Sequence, residues 1–309
     1  MNISIGMPIS ISPLVGRSEH SGPRIRISSG SGYAGSVLTS TQADQWTVDG
    51  VAIDGETGAT FTMTTALEGR SIRCGSSNAI RMWMPTDLDD ALKAVWLDPK
   101  RAQSVQDGKV TGWPDQFGHT DFTQDSVSRQ PAAAVLGGYA AAVWPEEGAF
   151  VSLQSLEALS VGWWAVVLQY KDGMAETFDN YDPIIGNGSE TSNTRILGNL
   201  GESELFLPAF TDQVSINGGE TTDIILPRPK SMVSFEWTTA ADLWGLGLSN
   251  FPRSSAERKW RGPMFEALAL RTRPTGDTLD RITACIMHRN GLSGHIPTAN
   301  PYKTTGPMR

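Results

Sequence analysis

Apolar and polar residues alternate from the start of the chain: Ile3, Ile5, Met7, Ile9 and Ile11 are separated by Asn2, Ser4, Gly6, Pro8 and Ser10. A period of two puts the apolar set on one face of an extended strand. Pro8 and Pro13 lack the amide donor that a central strand needs, so this strand suits a sheet edge or a partner. "GRSEHSGP" reads as a hinge, and the pattern predicts an anchoring arm over residues 1–23 that adds to a neighbouring subunit. Short strand candidates then recur in "RIRIS", "SVLTST", "QWTVDGVAI", "ATFTMT" and "SIRCGSSNA", with turns at "DG" (49–50) and "DGETG" (54–58). Trp46 is expected to plug the core where two sheets face each other. "TDLDDALKA" (86–94) reads as the start of a helical turn capped by Thr86 or Asp87. A clear helical period comes only late, in "GDTLDRITACIMHRNGL". There Leu279, Ile282 and Ile286 share a face with Cys285 beside them, Asp277 takes a capping position and Gly291 stands past the end.

Composition agrees with many short strands and turns. Gly 32, Pro 18 and 19 % charged residues suit that architecture, and ten Trp with ten Phe supply large pieces of core. A length of 309 residues allows two domains, each with its own core. The net charge of −8 and the lack of a basic stripe exclude nucleic acid as a partner. No apolar run reaches the length of a membrane span, so no membrane insertion is expected. Cys74 and Cys285 lie far apart in sequence and read as small buried apolar residues. The N-terminal stretch lacks a basic n-region and an unbroken apolar segment, so it does not read as a signal peptide, and release inside a particle by lysis is one route out of a cell.

The first block, residues 24–85, resembles the immunoglobulin-like modules of bacteriophage tail and fibre proteins and of bacterial surface proteins, through "GSVLTST", "QWTVDGVAIDGETGATFTMTT" and "LEGRSIRCGSSNA". It departs from them in Phe61, where a Tyr is usual, and in "LEG" at 67–69, where a D-x-G turn is usual. Cys74 has no partner for an antibody-type disulfide. The second block, residues 86–292, resembles the concanavalin A-like, laminin-G-like jelly rolls of phage and bacterial surface proteins. The matching pieces are Trp96 and Asp98, Trp113 and Asp115, Gln130 and Pro131, then "RGPMFEALALRTRP" and "HRNGL". Together the resemblances imply an all-β chain: an immunoglobulin-like β-sandwich, then a concanavalin A-like jelly-roll sandwich with one short C-terminal helix, then a tail at 293–309. They also imply that the helix covers an open end of the sandwich and that Glu266 is structural.

Laminarinase-type hydrolases share the second fold and carry E-x-D-x-x-E on one strand, which sets alternate carboxylates on one face. Here Glu176, Asp179 and Asp182 are three apart, so a strand would turn Glu176 and Asp179 to opposite sides. Glu236 and Glu266 have no acidic partner at i+2 or i+4. No catalytic residue is assigned. His20, His119, His288 and His295 lack ligand spacing, so no metal site is assigned either. Calcium is the one cofactor that the resemblance leaves open, with Asp121, Asp125, Asp179 and Asp182 as loop oxygens, and solvated loop acids as the simpler reading. Sugar recognition uses exposed aromatics with Asn or Arg reaching hydroxyls. On that basis Trp164, Phe251, Arg253, Arg258, Asn187 and Asn193 are the candidate glycan contacts. For adjacent Trp163 and Trp164, one ring faces the core and the other faces out or is covered.

The expected function is that of a non-enzymatic virion protein of a tailed phage or phage-like particle, at the virion surface. Its partners would be head or tail subunits, copies of itself and host-surface polysaccharide. The alternatives are a polysaccharide-degrading glycoside hydrolase on the same fold and a capsid cement protein with no receptor.

Overall fold

The computed structural model describes residues 23–147, 151–186, 196–206, 211–221, 229–247 and 259–309. Residues 1–22 of the expected arm at 1–23, with Ile3, Ile5, Met7, Ile9 and Ile11, lie outside them. The chain is all-β with a single α-helix among the described residues.

Six short strands come first: β1 (Ile25–Ser29), β2 (Val37–Ser40), β3 (Trp46–Val48), β4 (Val51–Ala52), β5 (Thr60–Thr62) and β6 (Ile72–Cys74). They form two three-stranded antiparallel sheets, ordered β1-β2-β5 and β4-β3-β6. Asp49 and Gly50 both take positive φ, 49° and 85°, as a two-residue hairpin turn requires, and close β3 onto β4. Trp46 on β3 stacks on Phe61 of β5 at 5.2 Å, so it plugs the space between the two sheets. The predicted helical turn at 86–94 is only a short 3-10 turn at Pro85–Asp87, capped from Met84, because the chain goes extended again at Lys93.

The second block contains β7 (Lys93–Leu97), β8 (Ser104–Gln106), β9 (Lys109–Trp113), β10 (Phe122–Thr123), β11 (Ala132–Leu136), β12 (Tyr139–Trp144) and β13 (Leu153–Leu168). It continues with β14 (Pro183–Gly186), β15 (Ile196–Gly198), β16 (Leu205–Phe206), β17 (Thr211–Ile216), β18 (Gly219–Thr221), β19 (Ser231–Leu246), β20 (Gly262–Leu270) and helix α1 (Gly276–Arg289). Hydrogen bonds run without a break along β16-β15-β14-β19-β13-β10-β9-β11-β12-β20-β7, and β20 returns to pair with β13. The long strands β13 and β19 make this possible. Their mutual register shifts at Gln154/Leu159 and again at Val161/Trp163, and such bulges let one strand bend from one layer into the other.

Alternation then sorts the side chains of the paired strands. Trp164, Val166 and Leu168 of β13 join Val233 and Phe235 of β19 and Ala267 and Ala269 of β20 in the inner core. Trp163, Ala165 and Val167 face the other way, with Leu268 and Leu270, into a second apolar cluster. That cluster also takes in Ile282, Cys285 and Ile286 of α1 and Tyr33, Met82 and Trp83 of the small module. The helix therefore lies between the large sheet and the small module, and does not cap an open end of the sandwich. A sheet face this apolar must be covered, and α1 is the amphipathic element that covers it.

The helix differs from expectation at its start and matches it at its end. Thr275 is the N-cap residue, and Asp277 sits in the first turn, pairing with Arg281 at 2.6 Å and accepting a hydrogen bond from Tyr302 Oη at 2.6 Å. At the other end Gly291 takes φ +72°, and the amides of Leu292 and Gly291 reach back to the carbonyls of Met287 and His288. This is a Schellman closure, which needs the left-handed residue that glycine supplies. Residues 293–309 are strapped down: Gly306 N donates to Ser31 O, Trp83 N to Pro307 O and Arg309 N to Arg81 O, all at 2.8–2.9 Å.

One buried ionic cluster ties the three parts together. Arg289, at the end of α1, binds Glu68 of the small module at 2.8 Å and also pairs with Asp98 and Glu266 of the large sheet. Lys100 Nζ adds Glu266 at 3.1 Å, the Arg289 carbonyl at 2.9 Å and Asn290 Oδ1 at 3.1 Å. Trp96 Nε1 and Asn290 Nδ2 complete the Glu266 carboxylate at 2.9 and 2.6 Å. Arg101 donates to the Glu68 carbonyl at 2.8 Å and lies 3.7 Å from Asp98. Burial by itself would raise the Glu266 carboxyl, but Arg289 and Lys100 outweigh it and hold it at about 2. Removing one member of such a cluster strands the others as uncompensated buried charges, a cost of about 3–5 kcal/mol. Arg289→Met should therefore lower the unfolding free energy by about 3–5 kcal/mol in urea titration, whereas Arg70→Met, at an exposed pair with Asp49, should cost less than about 1 kcal/mol.

Candidate functional site

The second sheet face is apolar under the middle of α1 but polar toward β17. Cross-strand register sets Gln213, Glu236 and Trp163 in one row across β17, β19 and β13, and Ser215, Ser234 and Ala165 in the next. The helix and the segment after it roof this polar strip with Leu279, Asp280, Thr283, Pro297 and Asn300. Between floor and roof lies a cavity of about 280 Å³. A single water needs only about 10–15 Å³, and ligand pockets begin near ~300 Å³, so this is room for one small ligand.

The walls are held from several sides. Arg273 Nη1 lies 2.7 Å from Glu236 Oε2, which neutralises that carboxylate and fixes its position. Asn300 Nδ2 donates to the Asp280 carbonyl at 3.1 Å, tying the post-helix segment to α1. Burial, with Asp277 close by, pushes the Asp280 carboxyl above its ordinary value. Gly218, in the β17–β18 turn, takes φ +79°, and a Cβ there would stand 2.7 Å from Thr283 Cγ2 and 3.2 Å from Pro297 Cγ. Only glycine lets the hairpin approach the helix closely enough to close that end of the cavity.

A second polar cluster sits where β13 ends and β20 begins, under the loop at 172–182. Tyr170 Oη donates to Asp182 Oδ2 at 2.5 Å and accepts from Asp179 N at 3.0 Å. Arg261 pairs with Asp182 and lies 3.3 Å from Asp179, which Lys171 also binds at 2.7 Å. Burial pushes the Asp182 carboxyl up to about 6, against the pull of the Tyr170 hydroxyl and the Arg261 guanidinium. These acids are occupied in bracing a corner.

The sequence-derived site residues fall as follows. Trp164 is fully buried in the inner core, so it is not a glycan contact; its parity on β13 turns it inward, and Trp163 is the ring that reaches the cavity. Phe251, Arg253, Arg258, Asn187 and Asn193 lie outside the described residues. Of the calcium candidates, Asp121 accepts the Asp115 amide at 2.9 Å, Asp125 is exposed, and Asp179 and Asp182 are bound to cations. Among the described residues no group of three His, Cys, Asp or Glu side chains converges to hold a metal. Glu266 belongs to the buried cluster around Arg289, and Glu236 to the cavity. Cys74 and Cys285 are buried free thiols, and burial pushes Cys285 up to about 12. The cavity residues Gln213, Ser215, Ser234 and Asn300 were not singled out in the sequence. The one available signal was the run of polar residues at alternate positions in "QVSI" and "SFEW", which places polar side chains on the face that needs covering. No family model, curated protein or solved structure matches the chain.

Two consequences are measurable. Gly218→Ala forces a side chain into a left-handed residue and a tight contact, and should destabilise by about 1–3 kcal/mol, read as a lower midpoint in thermal or urea unfolding. At the Tyr170 corner the folded state favours protonated Asp182, so its contribution to stability is present at pH values below the ordinary 3.8 and is lost as pH rises through about 6. Hydrogen-exchange protection of the Asp179 amide, corrected for intrinsic rate, should fall over that window, and Asp182→Asn should flatten the trend.

Proposed function

We propose that this chain is a non-enzymatic structural protein of a tailed phage or phage-like particle. It is anchored by residues 1–23 and displays its large sandwich, a laminin-G-like jelly roll in this reading, for contact with host-surface polysaccharide. The immunoglobulin-like module serves as the spacer. The observation that carries this reading is the Arg289 cluster with the strapped C-terminal segment, which fastens spacer and sandwich into one unit. A displayed domain must hold its orientation against an anchored base, and a buried ionic junction at an apolar interface fits that need. The same cluster engages Glu68, Asp98 and Glu266 with cations and neutral donors, which leaves these carboxylates no place in acid–base chemistry on a sugar.

Deleting residues 1–23 should abolish incorporation into the particle while leaving the far-ultraviolet spectrum and unfolding midpoint of the purified protein unchanged. Incubation of the full chain with host capsular polysaccharide should give binding in a pull-down and no new reducing ends. Release of oligosaccharide would favour the hydrolase, and the absence of any host-surface binding would favour a cement protein.

A further inference from the structure

We infer that the cavity between α1 and the β17–β19–β13 face is a binding site for one ring of a neutral sugar. This rests on the display reading above for the source of the sugar, and places its contact on the helix-covered face.

The chemistry of the walls selects the ligand class. The floor offers an amide (Gln213), two hydroxyls (Ser215 and Ser234) and a carboxylate (Glu236), all on one sheet face. Adjacent strands are about 4.8 Å apart, so these groups form a grid of donors and acceptors on the scale of alternate hydroxyls around a six-membered ring. Across the cavity, Asp280 supplies a further carboxylate, while the Asn300 amide is taken up by Asp280 and by the Tyr302 amide, so a ligand with hydroxyls on both faces meets a polar partner above as well as below. Trp163 and Leu279 give the apolar wall that a sugar's C–H face requires.

Charge narrows the class. Glu236 and Asp280 bring two negative charges and Arg273 one positive, and Arg273 is committed to Glu236 at 2.7 Å. The balance is one net negative charge in a partly enclosed space, which opposes uronate, sialate, sulfate and phosphate and tolerates neutral hydroxyls. A structural filler would look different. On the same sheet face, on β20 beside β13, Leu268 and Leu270 are buried in one apolar cluster with Ile282, Cys285 and Ile286 of the helix. At the cavity Gln213, Ser215 and Ser234 set polar side chains instead, and a sugar ring can replace several waters at once.

The test uses the full chain and saturation-transfer NMR with glucose, galactose, mannose, N-acetylglucosamine and glucuronate, each to tens of millimolar. At least one neutral sugar should bind saturably, with glucuronate at least tenfold weaker. Ser215→Leu fills the floor and should abolish the signal, and Gln213→Ala should weaken it at least threefold. Both variants are checked for an unchanged fold by circular dichroism, and Gln213→Ala, at a half-buried position, decides the matter if Ser215→Leu does not fold. The inference is overturned if no neutral sugar binds, if glucuronate binds best, or if folded variants bind as the parent does. If the sugars fail here while the full chain still joins the particle and still binds host polysaccharide, the site is lost and the display reading stands. If particle association fails while the cavity binds sugar, the reverse holds.

Discussion

A guanidinium buried at the end of a helix cannot stand alone, and the arrangement of this protein follows from how Arg289 is satisfied. Its partners come from three distant places: Glu68 from the small module, Asp98 from just past the end of β7, and Glu266 from the strand that precedes the helix. Each carboxylate would be costly to bury without a cation, and the cation costly without them. The cluster therefore has low energy only when helix, sheet and small module meet in one geometry. Apolar burial drives them together without regard to direction; the ionic cluster makes the association directional, fixing where α1 ends and which way the small module faces.

The two faces of the large sheet have different tasks. The inner face is filled by aromatic and branched side chains, with Trp113, Trp144 and Trp164 all fully enclosed. The outer face must accept a helix, and it is apolar only as far as the helix covers it well. Past that width, Gln213, Ser215, Ser234 and Glu236 replace the apolar residues, and the roof no longer fits closely. The cavity arises where helix cover and apolar face stop matching. That mismatch gives an otherwise structural surface a partly enclosed polar space of ligand size, beside a helix pinned at its other end by Arg289.

Of the acids weighed as catalytic, Glu266, Asp179 and Asp182 are drawn into structure. Glu266 lies in the buried junction, Asp179 and Asp182 brace the corner around Tyr170 and Arg261, and Asp115 holds a turn by accepting the amides of Trp96, Phe117 and His119. The "LEG" turn at 67–69 acquires a role in the same way. Glu68 occupies that turn and accepts from Arg289 Nε, so a local turn of the small module makes a long-range contact in the folded chain.

The amino-acid sequence by itself determined what nearest neighbours decide. Period-two alternation and paired turn residues gave the strands of the small module, Trp46 was recognisable as its plug, and Gly291 marked the end of α1. Backbone sterics and local burial act within a few residues, so their signature is readable along the chain. Only tertiary structure decided which of Trp163 and Trp164 faces inward, because a bulge between Val161 and Trp163 resets the parity that counting along β13 would assume. It alone brought Glu68, Asp98 and Glu266 to Arg289, and Gln213 and Glu236 to Asp280, since these residues come from separate strands, turns and the helix, whose neighbours are set by tertiary topology and not by sequence order. Charge and polarity mark such residues as candidates for burial or binding; which they become depends on what the fold places opposite them.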